Sequence, residues 1–82
     1  MERSPGVLGQ LIRPGNRISV VVTELSPSEI RVHVDRQLFP RQQIAVYYCS
    51  RRILATVIGC RRIATNQFEV LSRIETVHVV ND

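Results

Sequence analysis

Arginine is the residue type with the most chemistry to offer in this chain. All 11 basic residues are arginine, lysine is absent, and 7 acidic residues oppose them for a formal net charge of +4. A guanidinium carries a planar fork of N–H donors that suits bidentate capture of phosphate or carboxylate. An arginine-favouring base composition would leave the same mark. The charges are dispersed, with Arg51-Arg52 and Arg61-Arg62 as the only adjacent pairs. Nothing here resembles a disordered nucleic-acid-binding arm. His33 and His78 stand far apart, with no nucleophile or carboxylate arranged beside them. Glu24, Glu29, Asp35, Glu69 and Glu75 are scattered through strand ends and turns. Cys49 and Cys60 lack the CxxC or His/Cys spacing that zinc requires. No glycine-rich phosphate loop, zincin helix or GxSxG elbow is present. The expectation is a non-catalytic protein without metal or cofactor, with two free buried cysteines and an ordinary surface histidine at position 33.

The elements that would position these residues are strands, because the hydrophobic period is two almost throughout. Val7 to Ile12 reads as a first short strand, and Arg13-Pro14-Gly15-Asn16 as a turn with proline presetting φ. RISVVVTEL, Arg17 to Leu25, is rich in β-branched residues and reads as a long strand. From Ile30 the alternation is clean: Ile30, Val32 and Val34 on one face, Arg31, His33 and Asp35 on the other. The connector Asp35 to Gln43 contains Pro40, which forbids a central strand, and its Leu38 and Phe39 are expected to plug one end of a core. Ile44 to Cys49 and Ile53 to Arg61 read as strands around a tight Ser50-Arg51-Arg52 turn. Ala64 to Gln67 reads as the next turn and Phe68 to Ser72 as a further strand. Residues 73–82 fit two patterns, a helical stripe (Ile74, Val77, Val80) and a β-branched run (Thr76 to Val80).

At 82 residues the chain has room for one small domain, 1–82, with its core at about 7–74. Short strands joined by turns point to an all-β fold: a small antiparallel six-stranded β-barrel, ending in a short C-terminal helix or an extra strand. Closure removes the exposed edges that so short a sheet would present. Met1 to Gly9 lacks the apolar core of a signal peptide and no apolar run approaches a membrane span, so a soluble, cytoplasmic protein is expected.

The stretch Glu24-Leu25-Ser26-Pro27-Ser28-Glu29 links two strands and raises a question: is it a hairpin tip, or a phosphate-binding loop? The succession supplies one answer. A strand ending in that turn is followed by Ile30-Arg31-Val32-His33-Val34 and the connector Asp35-Arg36-Gln37-Leu38-Phe39-Pro40. Ala55 to Arg61, with its small residue before Cys60-Arg61, and Phe68-Glu69-Val70 come after them. From Ile18 to about Ile74 this order resembles a PilZ domain, the bacterial barrel that senses cyclic di-GMP. The resemblance implies a bacterial signalling module. It also implies ligand contacts from an RxxxR pair, here Arg13 and Arg17, and from a [D/N]xSxxG turn, here Glu24 and Ser26, with Arg61 beside them.

The chain departs from the family at both motifs. Glu24 lengthens the acidic or amide position, and Glu29 stands where the family has glycine. Glu29 is expected to strain a left-handed position by about 1 kcal/mol. Its charge would oppose a dianion by about 3 kcal/mol at ~6 Å and an effective dielectric near 20. Only six residues separate Arg17 from Glu24, where the family places the clamp well before the barrel. Cyclic di-GMP binding is therefore expected to be weak or lost, leaving a regulatory module that works through protein contacts. The alternative is a small basic barrel that binds single-stranded nucleic acid, using Tyr47 or Tyr48 for stacking. Adjacent strand residues face opposite sides, so at most one tyrosine serves any surface. A homodimer through an exposed strand or through Thr76 to Val80 is a third reading.

Overall fold

The computed structural model describes residues 4–10 and 17–79, with side chains from Val20 to Val79. Its strands are β1 (Ser4–Gln10), β2 (Arg17–Leu25), β3 (Glu29–Val34), β4 (Gln43–Tyr48), β5 (Arg51–Ala64) and β6 (Gln67–Val79). The described residues form no helix, so none is long and apolar enough to cross a membrane. Antiparallel ladders join β2 to β3, β3 to β6, β6 to β5 and β5 to β4 in one sheet of five strands. β1 pairs antiparallel on two sides, with β2 from Ser4↔Val22 to Gly9↔Arg17 and with β4 from Val7↔Tyr47 to Gln10↔Ile44.

Period-two patterning places the core. Val20 and Val22 of β2 meet Ile30, Val32 and Val34 of β3, Ile44 and Val46 of β4, Ile53, Ala55 and Val57 of β5, and Val70 of β6. Removing a Val or Ile side chain of this kind from water contributes about 1.5–3 kcal/mol. Leu38 joins this core at 2% exposure, whereas Phe39 is 61% exposed. The expectation that both plug the core therefore holds for Leu38 alone. The cause is a turn over Phe39–Gln42, in which the Gln42 amide donates to Phe39 O at 3.1 Å. Pro40 supplies its second position and Arg41, at φ 73°, its third. The Arg41 amide donates to Val57 O at 2.8 Å and the Val57 amide to Gln42 O at 2.9 Å. These bonds fasten the connector to β5 and leave Phe39 facing outward.

Several boundaries differ from the sequence reading. β1 begins at Ser4 rather than Val7, and the expected turn at 13–16 and end of that strand at Ile12 lie outside the described residues. The β4–β5 turn is Cys49-Ser50, with Arg51 and Arg52 already paired to Tyr48 and Tyr47. Cys49 and Ser50 have φ of 51° and 58°, the two left-handed residues that a type I′ hairpin needs. Thr65-Asn66 makes the β5–β6 turn, with Asn66 at φ 57°.

The ambiguous tail is strand through Val79, and residues 80–82 lie outside the described residues. Its helix-like spacing has a specific origin. Thr76 pairs with Leu54 and Ile74 with Ala55, so Glu75 is an extra residue bulged out of β6. One extra residue puts Ile74 and Val77 on the same face at a spacing of three, which imitates a helical stripe.

Candidate functional site

The outward faces of β2, β3, β6 and β5 carry a continuous row of charged side chains. Alternation turns Ile30, Val32 and Val34 inward, so Arg31 and His33 of the same strand project outward. Register then sets Glu24 opposite Arg31, His33 opposite Glu69, and Glu69 opposite Arg61. Arg31 Nη1 donates to Glu24 Oε2 at 3.4 Å. Arg61 Nε donates to Glu69 Oε1 at 3.1 Å, and His33 Nε2 lies 3.4 Å from Glu69 Oε2. Arg31 Nε is buried without a hydrogen-bond partner.

His33 is thus not an ordinary surface residue: its side chain is 15% exposed and is held against Glu69. Burial pushes the Glu69 carboxyl up, but the His33 hydrogen bond, the Arg61 and Arg31 charges and the Arg61 hydrogen bond outweigh it. The net result is a carboxyl held below its ordinary range. A carboxylate so stabilised holds its proton weakly, and Glu69 joins β3, β6 and β5 across their register. Exposed pairs such as Arg31–Glu24 contribute only about 0–1 kcal/mol each.

Ser26 serves its own turn. Its amide donates to Glu29 O at 2.9 Å, and its Oγ accepts the amides of Glu29 at 3.0 Å and Ser28 at 3.4 Å. Glu29 has no positive φ; it is the first residue of β3, paired with Arg73. The expected strain at Glu29 is therefore absent, because this hairpin turns through Pro27-Ser28 and asks for no left-handed residue there.

Of the expected ligand residues, Glu24, Ser26 and Arg61 have described side chains, and each bonds a different neighbour. Arg13 lies outside the described residues, as does the side chain of Arg17. The backbone of Arg17 starts β2 and Ser26 follows its end, which at about 3.3 Å per residue puts them roughly 25–30 Å apart. Glu24 and Arg61 lie on strands separated by β3 and β6, each bonded to a different neighbour. The cysteines also part company. Cys49 is exposed in the β4–β5 turn and Cys60 is half-buried far along β5 opposite Val70, so neither is the fully buried thiol expected. No group of three His, Cys, Asp or Glu among the described residues is placed to hold a metal.

Two concavities were not read from the sequence. One, of about 440 Å³, lies at the end of β2 and β3, between Val20, His33, Asp35 and the Thr65-Asn66 turn. The other, of about 330 Å³, lies between the β2–β3 hairpin tip and the far part of β6. Both depend on which strand ends become neighbours, and local pattern carries no signal for that. The chain matches no family model, no curated protein and no solved structure.

Proposed function

We propose that the protein is a non-catalytic bacterial regulatory module of PilZ type, a closed six-stranded barrel that acts through protein contacts in the cytoplasm. The ladders from β1 to both β2 and β4 support closure. The observation that carries the functional reading is the engagement of the candidate ligand groups by internal partners: Glu24 by Arg31, Ser26 by its own turn, Arg61 by Glu69. Releasing them for a dianion would cost about 0–1 kcal/mol for each exposed pair, and the Glu29 charge adds a larger opposition; cyclic di-GMP binding is weak or lost. Isothermal titration with cyclic di-GMP tests this, and silence at high ligand concentration is the expected result. Saturable micromolar binding that Arg13→Ala and Arg17→Ala abolish would overturn it.

One observation favours a second reading, single-stranded nucleic acid binding. Tyr47, Arg52 and His78 are register partners across β4, β5 and β6, while Tyr48 packs against the core. A ring beside Arg52, which has no carboxylate partner among the described residues, suits a stacked base and its phosphate. A gel shift with mixed single-stranded DNA and RNA across a salt series tests it; binding indifferent to salt would count against it.

A further inference from the structure

β6 outruns the strand beside it. β3 begins at Glu29, opposite Arg73, and Ser28 O accepts the Ile74 amide at 2.8 Å. Beyond that point, among the described residues, β6 is laddered to β5 alone. A strand with one open side offers a row of N–H and C=O groups that templates another strand. Natural edges are commonly blunted with lysine, proline, inward-pointing charge or a bulge, and here the Glu75 bulge precedes the open segment. Thr76-Val77-His78-Val79 has none of these, and Val77 and Val79 are 47% and 68% exposed.

A concavity of about 330 Å³ lies beside this edge. It is lined by Leu25 and Pro27 of the hairpin tip, Ile74 and Val77 of β6, and Ile53 and Arg51 of β5. Arg51 pairs with Val79, and Ile53 with Val77, so all four lie on one face. Arg31, Arg36, Arg61 and Arg73 are each paired with a carboxylate. Arg51 has no such partner among the described residues, and Arg52 beside it has none.

We propose that this edge and groove receive an extended segment of a partner protein, added to β6 as a further strand. Alternate apolar side chains of that segment fill the groove between Leu25 and Val77, and a carboxylate meets Arg51. The proposal rests on the adaptor reading above and names its surface and the chemistry of its partner. Charge decides between occupants. A second copy would bring another +4 chain, with its own Arg51, to the same rim. A nucleic acid strand would meet a mostly apolar lining in which Arg51 is the one cation among the described residues, a poor match to a run of phosphates.

The test uses the full chain and three labelled peptides of equal length: valine alternating with glutamate, valine alternating with lysine, and the glutamate peptide interrupted by proline. Fluorescence anisotropy reads affinity, and hydrogen exchange reads which amides become protected. The glutamate peptide should bind at least about tenfold more tightly than the lysine peptide, as expected for a desolvated charge contact. The proline peptide should bind more weakly, and Thr76 to Val79 should gain protection. Arg51→Glu should reverse the charge preference and Val77→Glu should weaken binding, with unfolding curves confirming that each variant folds. Equal affinity for the two charged peptides, or protection elsewhere, overturns the proposal. So does a single-stranded oligonucleotide or a second copy protecting the same amides when no peptide binds. The cyclic di-GMP titration is read separately. Peptide silence with cyclic di-GMP silence removes the groove and leaves the adaptor reading, whereas binding of both keeps the groove and removes the claim that the ligand is lost.

Discussion

Ser26 and Glu29 close the β2–β3 hairpin on each other: the Ser26 amide donates to Glu29 O at 2.9 Å, and the Glu29 amide donates to Ser26 Oγ at 3.0 Å. The serine that looks like a ligand group is a turn cap, and the glutamate that looks like a misfit is the first residue of a strand.

From this pairing, Ser26→Ala should destabilise the fold by about 1 kcal/mol, the usual value of one side-chain-to-backbone bond. Glu29→Gly should lower stability by roughly 0.5–1 kcal/mol, because glycine weakens a strand where no positive φ is asked for. Urea unfolding measures both. Tight cyclic di-GMP binding gained by Glu29→Gly would show that the turn is a ligand loop after all.

The β4–β5 turn places two side-chain-bearing residues, Cys49 and Ser50, in the left-handed region. Asn-Gly is the pair that a type I′ hairpin favours. The double substitution Cys49→Asn/Ser50→Gly should therefore stabilise the protein by about 1 kcal/mol, raising the urea midpoint without changing the slope. A lower midpoint would mean that the turn is not I′.

Ser72 lies in the core at 0% exposure, opposite Ile30 and Val57, and its Oγ has no hydrogen-bond partner. An unmade hydrogen bond of a buried hydroxyl costs about 1–3 kcal/mol. Ser72→Ala removes that group with little loss of volume and should raise the melting temperature by several degrees, as about 1 kcal/mol does in a domain of this size. A fall of similar size would indicate a bonded hydroxyl.

Glu69 supplies a pH dependence whose sign follows from its lowered pKa. Folding favours the ionised carboxylate, so its stabilising contribution is fully present above the ordinary glutamate value of about 4.3. That contribution is lost as pH falls through the lower folded value. Glu69→Gln should consequently cost stability at neutral pH and progressively less in acid. Urea melts of both proteins at pH 7, 5, 4 and 3 follow the difference; a constant gap would remove the electrostatic account.

Much of the strand order was legible because the local signals agreed. Arg17 to Leu25 is continuous in β-branched residues, and the inward set Ile30, Val32, Val34 follows from period two alone. Misreadings arose where one residue changed the phase. The bulged Glu75 gave Ile74 and Val77 a helical spacing, and the Cys49-Ser50 turn carries no glycine to announce itself. The candidate site was less legible. Ser26 and Arg61 were picked out as chemistry-bearing residues, but their partners, Glu29 across the turn and Glu69 on the neighbouring strand, were not.

The chain's own pattern determined an all-β architecture and the inward face of each central strand, because both are written in neighbouring residues. Only the tertiary structure decided that Glu69 is shared by Arg61 and His33, 8 and 36 residues away. It likewise decided that Leu25 and Val77 line one groove beside a strand edge that is open among the described residues. Those relationships depend on register between strands distant in sequence, where a slip of one residue turns every side chain to the other face.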